Sequence, residues 1–161
     1  MILVAIDASS NKTGMSIWKN KKCIGVLLLD YAYIKDTDER IKTMCNSIWN
    51  ELNKYSPTDV YIEDTYCGNN PKVQKLLNRI QGVVYAWCMR KNKKFNMILP
   101  SQWRKYIDGF PNGKGVKRSE LKNFSVNYVT NKYKIECNDD VADAILIGEA
   151  AIQLEGGNGN V

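Results

Sequence analysis

Two carboxylates follow apolar runs that are typical of buried strands. Asp7 comes directly after MILVAI, and Glu63 comes after VYI. Removing a carboxylate from water costs several kcal/mol unless a cation or hydrogen-bond donors receive its charge. If the two strands are neighbours, both carboxylates lie side by side at the same edge of one sheet. For Glu63 taken alone, the start of a polar loop is the simpler interpretation.

Two further acids, Asp140 and Asp143, lie three residues apart in NDDVADAILI, a segment with helical spacing. On a helix these two side chains share one face. That face continues to three residues of core type, Ala144, Ile147 and Ala151. An acid in the first turn of a helix is an ordinary partner of the helix dipole, which accounts for Asp139. It does not account for acids that share a face with core residues.

Convergence of these four carboxylates would require cations, because closely spaced carboxylates cannot all stay ionised. Hard oxygen ligands suit Mg²⁺ or Mn²⁺, and two such ions about 4 Å apart can stabilise the attacking and leaving oxygens of a phosphodiester. The chain contains 23 Lys and Arg against 17 Asp and Glu, a net charge of +6. This balance suits a polyanionic partner, although a generic basic protein has it too. The pattern therefore indicates a metal-dependent nuclease.

The elements that must position these residues follow from the hydrophobic periodicity. Three strands are followed by a helix from about Thr37, a strand at VYIED, a helix from Pro71 to Arg90 and a strand at FNMIL. A short helix, the loop FPNGKGVKRS, a helix starting at Ser119 and a last helix capped by Asn138 complete the chain. This order predicts an α/β fold with a mixed sheet and helices on both of its faces.

The length of 161 residues fits a single domain, predicted over residues 1–155, with the glycine-rich residues 156–161 as a flexible tail. The five cysteines are scattered, without a Cys-x-x-Cys pair, and the chain has no histidine to complete a zinc site. We therefore interpret them as reduced thiols of a cytosolic protein. No apolar run approaches about 18 residues, so we expect no membrane span.

Several segments, taken in order, resemble the RuvC family of Holliday-junction resolvases, which belong to the RNase H-like nuclease superfamily. The matching segments are IDASSNKTG, YIEDTY, LLNRIQGVVYA, LPSQWRKYIDG, GKGVKRSELKN and DDVADAILI, and they cover nearly the whole chain. The short length is similar to that of the phage-type branch. The resemblance implies an RNase H-like fold with a mixed five-stranded sheet, and a location in the cytoplasm of a bacterium or of a phage-infected host.

The resemblance also implies roles for individual residues. The catalytic metal ligands would be Asp7, Glu63, Asp140 and Asp143, which would hold two Mg²⁺ ions that Mn²⁺ could replace. Asp140 is preferred to Asp139 because the family spacing is Asp-x-x-Asp ahead of alanine and an aliphatic residue. The implied DNA contacts are Tyr66, Arg104, Lys105, Lys114, Lys117 and Arg118. As alternatives, Tyr66 could pack against its own loop, and the basic residues could be ordinary solvated charges.

The implied partner is four-way or other branched DNA, nicked by a homodimer whose two sites match the two-fold symmetry of a junction. The helix from Pro71 to Arg90 is the candidate dimer face, although internal packing could use the same side chains. Those side chains are Leu76, Leu77, Ile80, Val83, Val84 and Trp87. Two other functions remain open: a non-catalytic branched-DNA-binding protein, and an actin-like or sugar-kinase-like nucleotide binder. The nucleotide binder would need a duplicated domain, for which this chain is too short.

Overall fold

A five-stranded mixed sheet forms the centre of the computed structural model, which describes residues 1–64, 70–111, 113 and 115–157. The strands are β1 (Ile2–Asp7), β2 (Lys12–Lys19), β3 (Lys22–Asp30), β4 (Asp59–Glu63) and β5 (Lys94–Ile98). They lie in the order β3-β2-β1-β4-β5. β1, β2 and β3 pair in antiparallel fashion, whereas β4 runs parallel to both β1 and β5. The predicted α/β fold with a mixed five-stranded sheet is therefore confirmed.

Helices cover both faces of this sheet, as predicted. The helices are α1 (Thr37–Tyr55), α2 (Pro71–Lys91), α3 (Pro100–Trp103), α4 (Arg118–Tyr133) and α5 (Asp139–Gly157), with a 3₁₀ turn at Arg104–Tyr106 after α3. α1 and α2 pack against one face of the sheet, and α3, α4 and α5 pack against the other. α1, α2 and α5 each bury several apolar side chains, α3 buries Trp103 and α4 buries Val129, so the sheet separates two hydrophobic cores.

The start of α4 differs slightly from the prediction. α4 begins at Arg118, one residue before the predicted Ser119. The Glu120 carboxylate accepts a hydrogen bond from the backbone N–H of Lys117 at 3.3 Å, which satisfies a donor at the helix start. Ser119 therefore lies inside the first turn of α4.

The contact between β2 and α5 is unusually close. Ser16 donates a hydrogen bond to the carbonyl oxygen of Ala144 at 2.7 Å, and the indole N–H of Trp18 donates to Ser16 at 2.9 Å. A Cβ atom on Gly14 would overlap the backbone of Asp140. Because these three β2 residues alternate along one face, they hold the first turns of α5 directly against the sheet.

The last helix, α5, extends beyond the predicted end of the domain. α5 continues through Gly157, two residues past the predicted domain boundary at residue 155, and residues 158–161 lie outside the described part. The four cysteines within the described residues are all free thiols: Cys23, Cys45, Cys88 and Cys137. Among the described helices, none combines the length and apolar character needed to cross a membrane.

Candidate active site

Asp7 and Glu63 end neighbouring strands at the same edge of the sheet. β1 and β4 pair in parallel, so both strands end on that side. Because side chains alternate along a strand, Asp7 shares a face with Ala5, and Glu63 shares a face with Tyr61. Both of these neighbours belong to the core that contains α5. The predicted juxtaposition of the two strand-end carboxylates is thus confirmed, and both point toward α5.

The first turns of α5 contribute Asp140 and Asp143. Asn138 caps the helix as predicted, because its side-chain oxygen accepts a hydrogen bond from the backbone N–H of Val141 at 3.1 Å. The amide nitrogen of Asn138 also donates to Asp140 Oδ2 at 2.9 Å. The three core-type residues that share the face of these acids are fully buried: Ala144, Ile147 and Ala151. The two acids therefore lie where this buried face reaches the end of the helix.

One cavity of about 280 Å³ collects the four predicted acids, Asp7, Glu63, Asp140 and Asp143. Its remaining lining residues come from the 3₁₀ turn, the following loop, α4 and the start of α5: Arg104, Phe110, Arg118, Leu121, Lys122, Ser125 and Asp139. The cavity thus combines carboxylates from the sheet and α5 with cationic side chains from the 3₁₀ turn and α4. This arrangement can bind a cation and an anionic group side by side.

Burial and mutual repulsion raise the pKa values of the four carboxyls. Burial raises the pKa of Asp7 well above its ordinary range, and repulsion from Glu63, Asp143 and Asp140 raises it further. Burial also raises the pKa of Glu63 to about 7, although a hydrogen bond from Trp103 opposes this effect. The pKa values of Asp140 and Asp143 are raised too, mainly by burial. Bound cations would relieve this repulsion and favour the ionised carboxylates.

This electrostatic arrangement predicts that the Glu63 carboxylate destabilises the metal-free protein as pH rises. The folded pKa of about 7 exceeds the ordinary value of 4.5, so the folded state binds the Glu63 proton more tightly than the unfolded state does. The contribution of the Glu63 carboxyl to the free energy of unfolding is therefore fully present below about pH 4.5. It decreases by up to roughly 3 kcal/mol as pH rises toward 7. Urea unfolding in EDTA should show Glu63→Gln gaining stability over the unsubstituted protein across this range. A difference that stays constant with pH would contradict the prediction.

The ligands available in the cavity fit a divalent cation. Asp143 Oδ1 is buried and has no hydrogen-bond partner among the described residues, so it is free to coordinate an ion. Carboxylate oxygens are the ligands that Mg²⁺ and Mn²⁺ prefer. Within the described ranges, no three acidic, histidine or cysteine side chains are already arranged to hold one ion by themselves. The four carboxylates of the cavity are therefore chemically suited to a divalent cation.

The predicted DNA-contact residues occupy different places. Arg104 and Arg118 line the acidic cavity itself, and Lys105 lines a neighbouring cavity that shares Arg104. Lys117 is exposed at the start of α4 and does not line the acidic cavity. Two further predicted contacts lie outside the described residues: Tyr66 and Lys114.

The cavity also contains residues that the sequence analysis did not select. Lys122 forms an ion pair with Asp139, and this contact lowers the pKa of the Asp139 carboxyl. Asp139 lies beside the four acids, but it already has a cationic partner. The helical spacing of Lys122 and Ser125 after Arg118 is a signal that could have placed both on the cavity side of α4. Trp103, which contacts Glu63, has no comparable spacing signal.

Comparison with known proteins identifies relatives over most of the chain. Residues 3–150 match the family model for crossover junction endodeoxyribonuclease RuvC. The protein of that name from Chloroherpeton thalassium is 23% identical over 150 residues, which cover 90% of this chain and 80% of the relative. The protein of that name from Helicobacter pylori is 27% identical over 150 residues, which cover 91% of this chain and 93% of the relative.

A solved structure has a similar fold over nearly its whole length. Thermus thermophilus RuvC in complex with Holliday junction substrate aligns with a TM-score of 0.74 at 14% identity, covering 98% of this chain and 96% of that one. This likeness agrees with the RNase H-like fold implied by the sequence motifs. The family resemblance is confirmed, whereas assignment to the phage-type branch stays a prediction. The chain belongs to the RuvC family of crossover junction endodeoxyribonucleases.

Proposed function

We propose that this chain is a divalent-metal-dependent endonuclease that nicks four-way and other branched DNA. The observation on which the proposal rests is the cavity where Asp7, Glu63, Asp140 and Asp143 meet beside two arginines. The raised pKa values of these carboxyls indicate a site whose charge is unbalanced until cations bind. The family is one of divalent-metal-dependent endodeoxyribonucleases, and a structural relative binds a Holliday junction. Branched DNA is therefore the proposed substrate.

The four carboxylates would hold two Mg²⁺ ions, and Mn²⁺ could substitute for them. Bound ions of this kind supply a nucleophilic water of lowered pKa and stabilise charge on the leaving oxygen. The chain has no histidine, so an imidazole cannot act as general base. Asp7, Glu63, Asp140 and Asp143 would therefore act as ligands, and the water would be activated without an imidazole.

Cationic side chains beside the acids would position the DNA phosphate. Arg104 and Arg118 line the same cavity as the carboxylates, and a guanidinium can bind two phosphate oxygens at once. Lys105 and Lys117 would extend the phosphate contacts beyond the acidic cavity, and Lys114 is a further proposed phosphate contact. Tyr66 would stack on an unpaired base at the crossover, an interaction of roughly 1–3 kcal/mol.

We further propose a homodimer, because two sites related by a two-fold axis suit a four-way junction. The predicted dimer face needs correction, since Ile80, Val84 and Trp87 are fully buried inside this chain. The proposed contact keeps Val83 of the predicted face and lies in the groove between α1 and α2, which also contains Trp49. Sedimentation equilibrium tests this proposal. A species of 18.4 kDa at every concentration at which junctions are cut would contradict it.

Cleavage of end-labelled DNA tests the proposed activity directly. We expect four-way junctions to be nicked in Mg²⁺ and Mn²⁺, linear duplexes of the same sequence to be cut far more slowly, and EDTA to abolish cutting. Three-way junctions serve as a second branched substrate. Equal cutting of all three DNAs would contradict selectivity for branched DNA. Tight junction binding without nicking in either metal would favour the non-catalytic DNA-binding alternative.

A further inference from the structure

A buried tryptophan donates a hydrogen bond to one of the proposed metal ligands. Trp103 ends α3 and is fully buried, and its Nε1 lies 2.7 Å from Glu63 Oε2. This distance is at the short end of the range for N–H···O hydrogen bonds, as expected when the acceptor is a charged carboxylate. A buried indole N–H requires an acceptor, and Glu63 provides it. This hydrogen bond therefore fixes the position of the Glu63 carboxylate relative to the Trp103 ring.

The surroundings of Trp103 leave its ring little freedom. Phe110 packs edge-to-face against it, with ring centroids 5.4 Å apart and an interplanar angle of 82°. The Arg104 guanidinium carbon lies 5.1 Å from the centroid of the Trp103 ring, within the range of a cation–π contact. A ring held in this way presents its N–H in one direction. The tryptophan can therefore orient Glu63, because its own position is set by its neighbours.

The backbone of Glu63 is held independently of its side chain. Gln81 on α2 donates a hydrogen bond from Nε2 to the Glu63 carbonyl oxygen at 3.1 Å. Glu63 also pairs with Ile98 in the parallel ladder between β4 and β5. The main chain at Glu63 is thus anchored from both sides. Within residues 1–64 and the other described ranges, the hydrogen bond that the Glu63 carboxylate accepts comes from Trp103.

From these contacts we infer that Trp103 is a positioning residue that orients the Glu63 carboxylate for metal binding. This inference rests on the proposed function of the cavity. The indole N–H occupies one lone-pair site on Oε2, so the other lone-pair sites of the carboxylate stay available to coordinate a cation. Hydrogen-bond partners of metal ligands commonly contribute 10–100-fold to metal affinity or activity.

Trp103→Phe tests the inference because phenylalanine keeps an aromatic ring and removes the N–H donor. We expect calorimetric titration to show about 10-fold weaker Mn²⁺ binding, and nicking at low Mn²⁺ to fall by about 10–100-fold. Raising the Mn²⁺ concentration should restore part of the nicking rate. Junction binding in EDTA should stay within about twofold, because the proposed phosphate contacts lie on other residues. Unchanged Mn²⁺ affinity would overturn the inference.

Trp87→Phe is a matched control on the opposite face of the sheet. Trp87 is also buried, and its Nε1 donates to Asn53 Oδ1 at 3.0 Å. This substitution removes an equivalent hydrogen bond and should leave Mn²⁺ affinity unchanged. An equal loss of affinity in both variants would assign Trp103 a merely structural role and overturn the inference. Failure of the unsubstituted protein to bind Mn²⁺ or to nick junctions would instead contradict the proposed function.

The unsubstituted protein offers a second test that does not depend on folding of the variant. In a sample with ¹⁵N-labelled tryptophan, the indole N–H resonance of Trp103 should shift when Mg²⁺ is added, because the carboxylate that accepts its proton becomes a metal ligand. The resonance of Trp87 should not move. A Trp103 resonance that is unchanged at saturating Mg²⁺ would overturn the inference.

Discussion

Asp7→Asn is expected to reduce junction nicking by orders of magnitude while junction binding persists. The substitution removes a carboxylate that is a proposed metal ligand from the lining of the cavity, whereas the proposed phosphate contacts lie on other side chains. It also removes the repulsion that Glu63, Asp143 and Asp140 exert on Asp7. The Tm of the metal-free protein should therefore stay the same or rise, and the gain in Tm on adding Mg²⁺ or Mn²⁺ should shrink.

Asp30→Asn provides the matched control for this experiment. Asp30 also ends a strand, but it is exposed and pairs with Lys12 at 3.1 Å, outside the acidic cavity. We expect little change in stability and no loss of nicking. Gel assays of nicking, filter binding in EDTA and thermal melts with and without metal measure the three properties. Nicking by Asp7→Asn at a near-normal rate would contradict the proposed role of Asp7 as a metal ligand. Unfolding of this variant would contradict it too, because it would assign Asp7 a structural role.

Gly14→Ala is expected to destabilise the protein and to displace Asp140 and Asp143 from the acidic cavity, although Gly14 does not line that cavity. A Cβ atom at this position of β2 would overlap the Asp140 carbonyl and lie 2.8 Å from the backbone nitrogen of Val141. Neither backbone group can yield without shifting the first turn of α5. We expect a loss of about 3 kcal/mol or more in the free energy of unfolding. Nicking should also fall in the fraction that remains folded, since Asp140 and Asp143 move with the helix.

Gly25→Ala is the control for the glycine substitution. Gly25 lies in β3, the strand adjacent to β2, and a Cβ atom there would be 3.6 Å from the Ile17 side chain, an ordinary contact distance. Chemical denaturation and nicking assays should show normal values for this variant. Normal stability and normal nicking in Gly14→Ala would contradict the proposed role of the β2–α5 contact in positioning the two aspartates.

Much of the fold could be predicted because its signals are local. Short apolar runs bounded by turn residues identified the strands, and helical spacing identified α1, α2 and α5, including the cap at Asn138. The positions of Asp7 and Glu63 at strand ends could also be inferred without knowing the whole sheet. Only the parallel pairing of β1 with β4 was needed to bring them together. The four acids were therefore accessible from sequence patterns and the family resemblance together.

Other features could not be predicted, because they depend on contacts between distant segments. Trp103 reaches Glu63 because β5 lies beside β4 and α3 follows β5 directly, an arrangement that periodicity does not encode. The contact partner of the apolar face of α2 could not be predicted either. Helical spacing shows that Ile80 and Trp87 share a buried face, but it does not show whether that face meets the chain's own sheet or another protomer. In the structure it meets the sheet.

The central claim is that the cavity of Asp7, Glu63, Asp140 and Asp143 binds the divalent ions used for DNA cleavage. Anomalous X-ray diffraction from crystals soaked in Mn²⁺ tests this claim most directly, because it locates each ion independently of any activity. We predict strong anomalous peaks within coordination distance of Asp7 and Glu63, and their loss in Asp7→Asn crystals. Strong Mn²⁺ peaks elsewhere with none in this cavity, from protein that nicks junctions in Mn²⁺, would contradict the account.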